Sequence, residues 1–228
     1  MMKAIRNNIP NAITSLNLLF GCWACIVALS STCAVNSFRL AFVLIALSAV
    51  ADFFDGLVAR LLHAVSGIGK ELDSLADLVS FGLAPAFVLY AAMEAHGAEG
   101  WSLLVLLLPV FGALRLARFN IDTNQSTTFT GLPIPANAIF WIGFIDWYAS
   151  HDCPVWVVVL LIIVLALLMV CNLRMFSLKM HNLTSLKQNW AQYLLLIVAV
   201  VFIVVLGVPG LAATIALYVL LSIIKKEK

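Results

Sequence analysis

"ADFFDGLVARLLHAVSGIGKELDSLADLVSFG", residues 51–82, carries four aspartates, Asp52, Asp55, Asp73 and Asp77, in a chain that is 64% hydrophobic and 11% charged. On an insertion scale one aspartate at mid-membrane costs about 2.5–3.5 kcal/mol, so four of them cannot all face lipid. They must meet a polar cavity, a membrane boundary or a neutralising partner. Asp52, Asp55 and Ala59 are spaced i, i+3, i+7 and share one helical face, and Gly69, Asp73 and Asp77, spaced i, i+4, i+8, share another. The segment from Leu61 to Ile68, with Ser66 and Gly67, turns the chain back. The pattern predicts two antiparallel helices with opposed aspartate faces near a membrane boundary.

Outward from this stretch, apolar runs of about 17–25 residues repeat along the chain, whose mean hydropathy is +1.08. They predict an all-α polytopic membrane protein with about eight transmembrane helices, near 13–34, 38–61, 71–93, 100–118, 134–150, 154–173, 190–206 and 209–224. No polar stretch is long enough for a soluble domain, so residues 1–228 read as one integral-membrane domain. With an even number of spans, Lys3, Arg6, Arg60, Lys70, Arg115, Arg118, Arg174, Lys179, Lys187 and the C-terminal lysines fall on one side and Arg39 on the other. The positive-inside rule then makes both termini cytoplasmic, in a cell membrane. A net charge of +2 is too small to suggest nucleic acid, and none is expected as a partner. The run after Lys3 and Arg6 is longer than the apolar region of a cleaved leader and reads as a retained first span. Five scattered cysteines, including the Cys22–Cys25 pair inside an apolar helix, read as packing residues. Trp101, Trp141, Trp147, Trp156 and Trp190 read as an aromatic belt at the membrane edges.

Four carboxylates packed together repel one another unless they gain protons or counter-charge. Arg60 and Lys70 offset part of that. Mg²⁺ or Mn²⁺, as one ion or two, does so better, since these hard cations prefer oxygen ligands and a two-metal site suits phosphoryl displacement. Gly56, Ala59 and Gly69 are small where a phosphate-bearing ligand needs close backbone approach. The competing reading, helix-end aspartates paired with Arg60, Lys70 and Arg118, gives no reason for two coherent faces interleaved with small residues.

The run Asp52-x-x-Asp55-Gly56-x-x-Ala59-Arg60, eight residues, then Gly69-x-x-x-Asp73-x-x-x-Asp77 resembles the complete signature of the CDP-alcohol phosphotransferases. Those membrane enzymes displace CMP from a CDP-linked alcohol with an acceptor hydroxyl. The resemblance implies a six-helix catalytic core, with the last two helices, 190–224, peripheral, and a homodimer. It implies that Asp52, Asp55 and Asp73 bind metal, and that Asp77 is the general base and touches a second ion. Gly56, Ala59 and Gly69 would shape the nucleotide pocket, with Arg60 near its phosphates.

Three further segments bear on the substrates. "IPNAITSLNLLFG" sets Asn11, Thr14 and Asn17 at i, i+3, i+6 in an apolar helix; Asn11 and Thr14 are candidates for contact with CDP. "RLARFNIDTNQSTTFTGLPIPANA" brings Arg115, Arg118 and Asn120, and "CNLRMFSLK" brings Arg174 and Lys179. These are candidate acceptor ligands, because a guanidinium fork binds a carboxylate or phosphate bidentately. The three segments resemble the phosphatidylserine synthase branch of the family, with Met175 standing where that branch suggests an aromatic. The expected partners are therefore CDP-diacylglycerol, L-serine and membrane lipids. Glycerol 3-phosphate or an inositol phosphate as acceptor is the nearest alternative. A cation transporter, with the aspartates as an ion path, is the rival from another class.

Overall fold

The computed structural model describes residues 2–30, 35–64, 66–121, 129–175 and 189–224. Among the described residues the protein is all-α apart from one short strand pair, and the chain divides into two compact units, Met1–Ala113 and Leu114–Lys228.

The first unit begins with α1 (Met2–Ser30) and α2 (Val35–Leu61). The next rod joins α3 (Gly67–Asp77), a π-turn (Leu78–Leu83) and α4 (Ala84–Ala95). A 3₁₀ turn, Trp101–Leu106, then leads into α5 (Leu107–Ile121), which belongs to the second unit from Leu114 onward. The turn between α2 and α3 is closed at both ends. His63 takes a left-handed backbone (φ 48°), and the His63 and Ala64 amides donate to the Arg60 and Ala59 carbonyls, a Schellman-type stop. Ser66 then caps α3 by accepting from the Gly69 amide at 3.0 Å. The π-turn has a sequence cause. Pro85 offers no amide to the carbonyl four residues back, so the ladder widens by one residue and the Ala84 amide bonds Val79 instead.

The helices of this unit do not pack as an α2–α3 pair, which corrects the expectation above. α1 packs along α2 and also against α3, the π-turn and α4, whereas α2 and α3 make little backbone contact with each other. They approach through their carboxylates. The reason is physical: the small and acidic residues on the two facing surfaces cannot form an apolar seam, while α1 offers one to both neighbours.

In the second unit, α6 (Ile134–Tyr148) and α8 (Trp190–Leu206) each pack against α9 (Gly210–Ile224), and α7 (Val155–Val170) touches α6. Strands β1 (Phe129–Thr130) and β2 (Arg174–Met175) pair antiparallel, Thr130 opposite Arg174. The Gly131 and Leu132 amides donate to the Leu173 and Leu168 carbonyls, which docks the Gly-Leu-Pro-Ile-Pro segment on the end of α7. Trp141, expected in the aromatic belt, is fully buried in α6, where its indole N–H donates to the Asn137 carboxamide oxygen at 3.1 Å. Trp101, Trp147, Trp156 and Trp190 are exposed as expected.

Four helical rods, Asn8–Ser30, Phe38–Leu61, Gly67–Ala95 and Trp101–Ile121, are long and apolar enough to cross a membrane. The later helices match the remaining expected spans in position but run only 15–17 residues. That is about 22–26 Å of helix against a hydrocarbon core of about 30 Å. Pro133, Pro154 and the Gly207–Pro209 break set their ends.

Candidate active site

The aspartate rows meet in the first unit. Asp52 and Asp55 come from the last three turns of α2, and Asp73 and Asp77 from the second half of α3. One oxygen from each of Asp52, Asp55 and Asp73 lies within 4.8 Å of the others. Asp55 is buried and its Oδ2 has no hydrogen-bond partner; the half-buried Asp73 and Asp77 each have one buried oxygen, Oδ1, likewise unsatisfied. Asp77 stands beside this trio, next to Asp52 and Asp73, rather than within it.

Three converging carboxylates, two of them (Asp55 and Asp73) with an unpaired buried oxygen, fit a hard divalent cation. A buried ionised oxygen left without a hydrogen bond is costly, and the observed separations leave room for one ion to satisfy all three.

Beside the trio lies a cavity of about 210 Å³. Every residue expected to contact CDP lines it: Asn11 and Thr14 from α1, Gly56, Ala59 and Arg60 from α2, and Gly69 from α3. Asp55 and Asp73 form its acidic wall. Arg60 is exposed at the rim, and its Nε–H donates to the Gly56 carbonyl at 2.8 Å, which steers the guanidinium along its own helix. Space at Gly69 is tight, since a Cβ there would sit 3.0 Å from both the Asn11 Oδ1 and the Ser66 Oγ, and one of those side chains would have to give way.

Pro10, Ala64, Ser66 and Lys70 also line the cavity and were not assigned to it from the sequence. The sequence alone assigns Lys70 only as counter-charge to the aspartates. Its signal was position: it follows Gly69 in the first turn of α3, where helix amides and a lysine together favour an anion. The site therefore has two electrostatic halves, a carboxylate trio that attracts a cation and a helix start with Arg60 and Lys70 that attracts phosphate oxygens.

The candidate acceptor residues lie in the second unit. Arg115, Arg118, Thr130, Val170 and Cys171 border a cleft of only about 20 Å³. Arg115 is buried near the Tyr218 phenol of α9. The exposed Arg118 donates from Nη1 to the Val170 carbonyl at 2.7 Å, so it caps the C-terminus of α7. Asn120 is half-buried at the end of α5. Arg174 contributes backbone to β2, and Lys179 falls outside the described residues. Replacing Arg118 by alanine is expected to remove about 1 kcal/mol of stability through the lost cap hydrogen bond. It should also raise KM for serine severalfold, more than KM for the donor. Thermal unfolding and two-substrate kinetics separate the effects, and an unchanged serine KM would leave Arg118 a cap alone.

Comparison with known proteins shows the family of the chain. The family model described as CDP-alcohol phosphatidyltransferase matches residues 7–151, which include all four aspartates and all the cavity residues. Proteins named CDP-diacylglycerol--serine O-phosphatidyltransferase are similar along nearly the whole chain. That of Mycobacterium bovis is 36% identical, covering 95% of this chain and 73% of its own length. That of Mycobacterium leprae is 34% identical, covering 95% and 70%. That of Helicobacter pylori strain 26695 is 31% identical, covering 95% and 90%. With more than half the chain matched by the model and relatives above 30% identity on both lengths, this membrane protein belongs to the CDP-alcohol phosphatidyltransferase family.

Proposed function

We propose that the protein transfers the phosphatidyl group of CDP-diacylglycerol to L-serine and releases CMP. The observation that carries this reading is a carboxylate trio, two of whose members wall a cavity that every residue expected to contact CDP also lines. The relatives' names favour serine as the acceptor.

Asp52, Asp55 and Asp73 would hold Mg²⁺ or Mn²⁺, and a further ion would engage Asp77. When bound, such ions neutralise a pyrophosphate and stabilise the charge on the leaving CMP. The chain does the rest. Asn11 and Thr14 flank the nucleotide, and Gly56, Ala59 and Gly69 leave room for its close approach. The start of α3 with Arg60 and Lys70 receives phosphate oxygens. Asp77 accepts the proton of the serine hydroxyl as its oxygen bonds the diacylglycerol-bearing phosphorus. The bond from that phosphorus to the bridging oxygen breaks, and CMP leaves with that oxygen. Arg118, Arg115, Asn120, Arg174 and Lys179 are the acceptor-side candidates, because serine offers them a carboxylate. The cavity and both termini face the cytoplasm, by the sidedness of the basic residues, and the working form is a homodimer. The acyl chains then stay in the bilayer while the nucleotide stays at its aqueous edge.

The test is CMP release by purified protein with CDP-diacylglycerol and Mg²⁺ or Mn²⁺, comparing L-serine, glycerol 3-phosphate and inositol phosphate. Serine is expected to drive release, and a chelator to stop it. Release with another alcohol would overturn the acceptor. Absence of release with all three would overturn the reaction.

A further inference from the structure

Asn17 is the one polar residue of the Asn11–Thr14–Asn17 row that does not line the nucleotide cavity. It is fully buried in α1, and its turn is locked from two sides. Its backbone carbonyl accepts hydrogen bonds from the Ser48 hydroxyl of α2, at 3.1 Å, and from the Ser80 hydroxyl of the π-turn, at 3.0 Å. Both serines are fully buried. One turn further along α1, a Cβ on Gly21 would overlap the backbone and side chain of Ser80, so α1 is seated directly on the π-turn that follows Asp77.

The side chain of this locked residue lies beside the Asp77 carboxyl. Neither its Nδ2 nor its Oδ1 completes a hydrogen bond, and Asp77 Oδ1 is buried and unsatisfied too. A buried carboxamide with both polar atoms unpaired is a cost to folding that leucine, of similar size, would avoid. The molecule keeps it beside the carboxylate proposed to take the acceptor's proton.

We propose that Asn17 is a positioning residue for Asp77. Its Nδ2–H turns one carboxylate oxygen toward the carboxamide and leaves the other for the acceptor hydroxyl. The Ser48, Ser80 and Gly21 contacts set the height of α1 at which this occurs. The inference rests on the reading of Asp77 as the proton acceptor.

Asn17→Leu tests it, using CMP release from CDP-diacylglycerol and L-serine with Mn²⁺. The variant is expected to melt at or above the wild-type temperature and to keep its donor KM within about threefold, while kcat falls about 10–100-fold, the range for losing a supporting contact to an active group. In single turnovers, adding Asn17→Leu to Asp77→Asn should cost little more, because the first residue acts through the second. If the leucine variant does not fold, Asn17→Ala must show the same split between kcat and KM. An Asn17 variant with kcat within about twofold of wild type, or an equal loss in both backgrounds, overturns the inference while the reading of Asp77 stands. An Asp77→Asn protein with near-normal turnover overturns that reading, and the role of Asn17 with it.

Discussion

Asp73→Asn is expected to lower serine-dependent CMP release by about 10³-fold, as loss of a cation clamp worth several kcal/mol implies at 1.36 kcal/mol per tenfold. Asp73 belongs to the oxygen trio, and one of its oxygens is buried and unpaired. It also lines the nucleotide cavity, so its loss should weaken donor binding as well as turnover. Thermal unfolding supplies a check independent of activity. Saturating Mn²⁺ should raise the melting temperature of the wild type, since a ligand at 100 times its Kd stabilises by about 2.7 kcal/mol. Asp73→Asn should melt higher than wild type without metal, because one of the crowded charges is gone, and should gain little when Mn²⁺ is added. A variant that keeps both its Mn²⁺ shift and its turnover would remove Asp73 from the cation site.

Asp77→Asn should fail differently. Asparagine keeps the shape of the side chain and its place beside Asn17, but it cannot take a proton. Turnover should fall by about 10²–10⁴-fold, the usual worth of a positioned general base. The trio of Asp52, Asp55 and Asp73 remains complete, so CDP-diacylglycerol binding and most of the Mn²⁺ shift should survive. The two variants are best compared directly by donor binding and CMP release on the same preparations. Loss of donor binding in Asp77→Asn equal to that in Asp73→Asn would show Asp77 acting through donor and cation binding alone and leave the base unassigned.

The aspartate site was legible in the sequence because helical periodicity is a local property. Spacings of three and four residues put Asp52 with Asp55, and Asp73 with Asp77, on single faces whatever the rest of the chain does. Asn11, Thr14, Gly56, Ala59, Arg60 and Gly69 were likewise recognised as candidates, and they line one cavity. The partner of each face was not legible. Two acidic faces joined by a short turn suggest a helix pair, yet α1 supplies the packing surface for both α2 and α3. Trp141 and Arg118 show the same limit, for a tryptophan near a predicted membrane edge can equally fill a core, and an arginine at a helix end can equally cap a neighbouring helix.

By itself, then, the sequence determined an all-α membrane protein with its carboxylates in two helical rows, because hydropathy and periodicity are written residue by residue. Only the tertiary structure decided that α1 sits against both rows, that Lys70 faces the cavity, and that Asn17 is locked beside Asp77 by Ser48 and Ser80. These contacts join residues as many as 63 positions apart. They depend on how a π-turn and a glycine seat one helix on another, which no local pattern encodes.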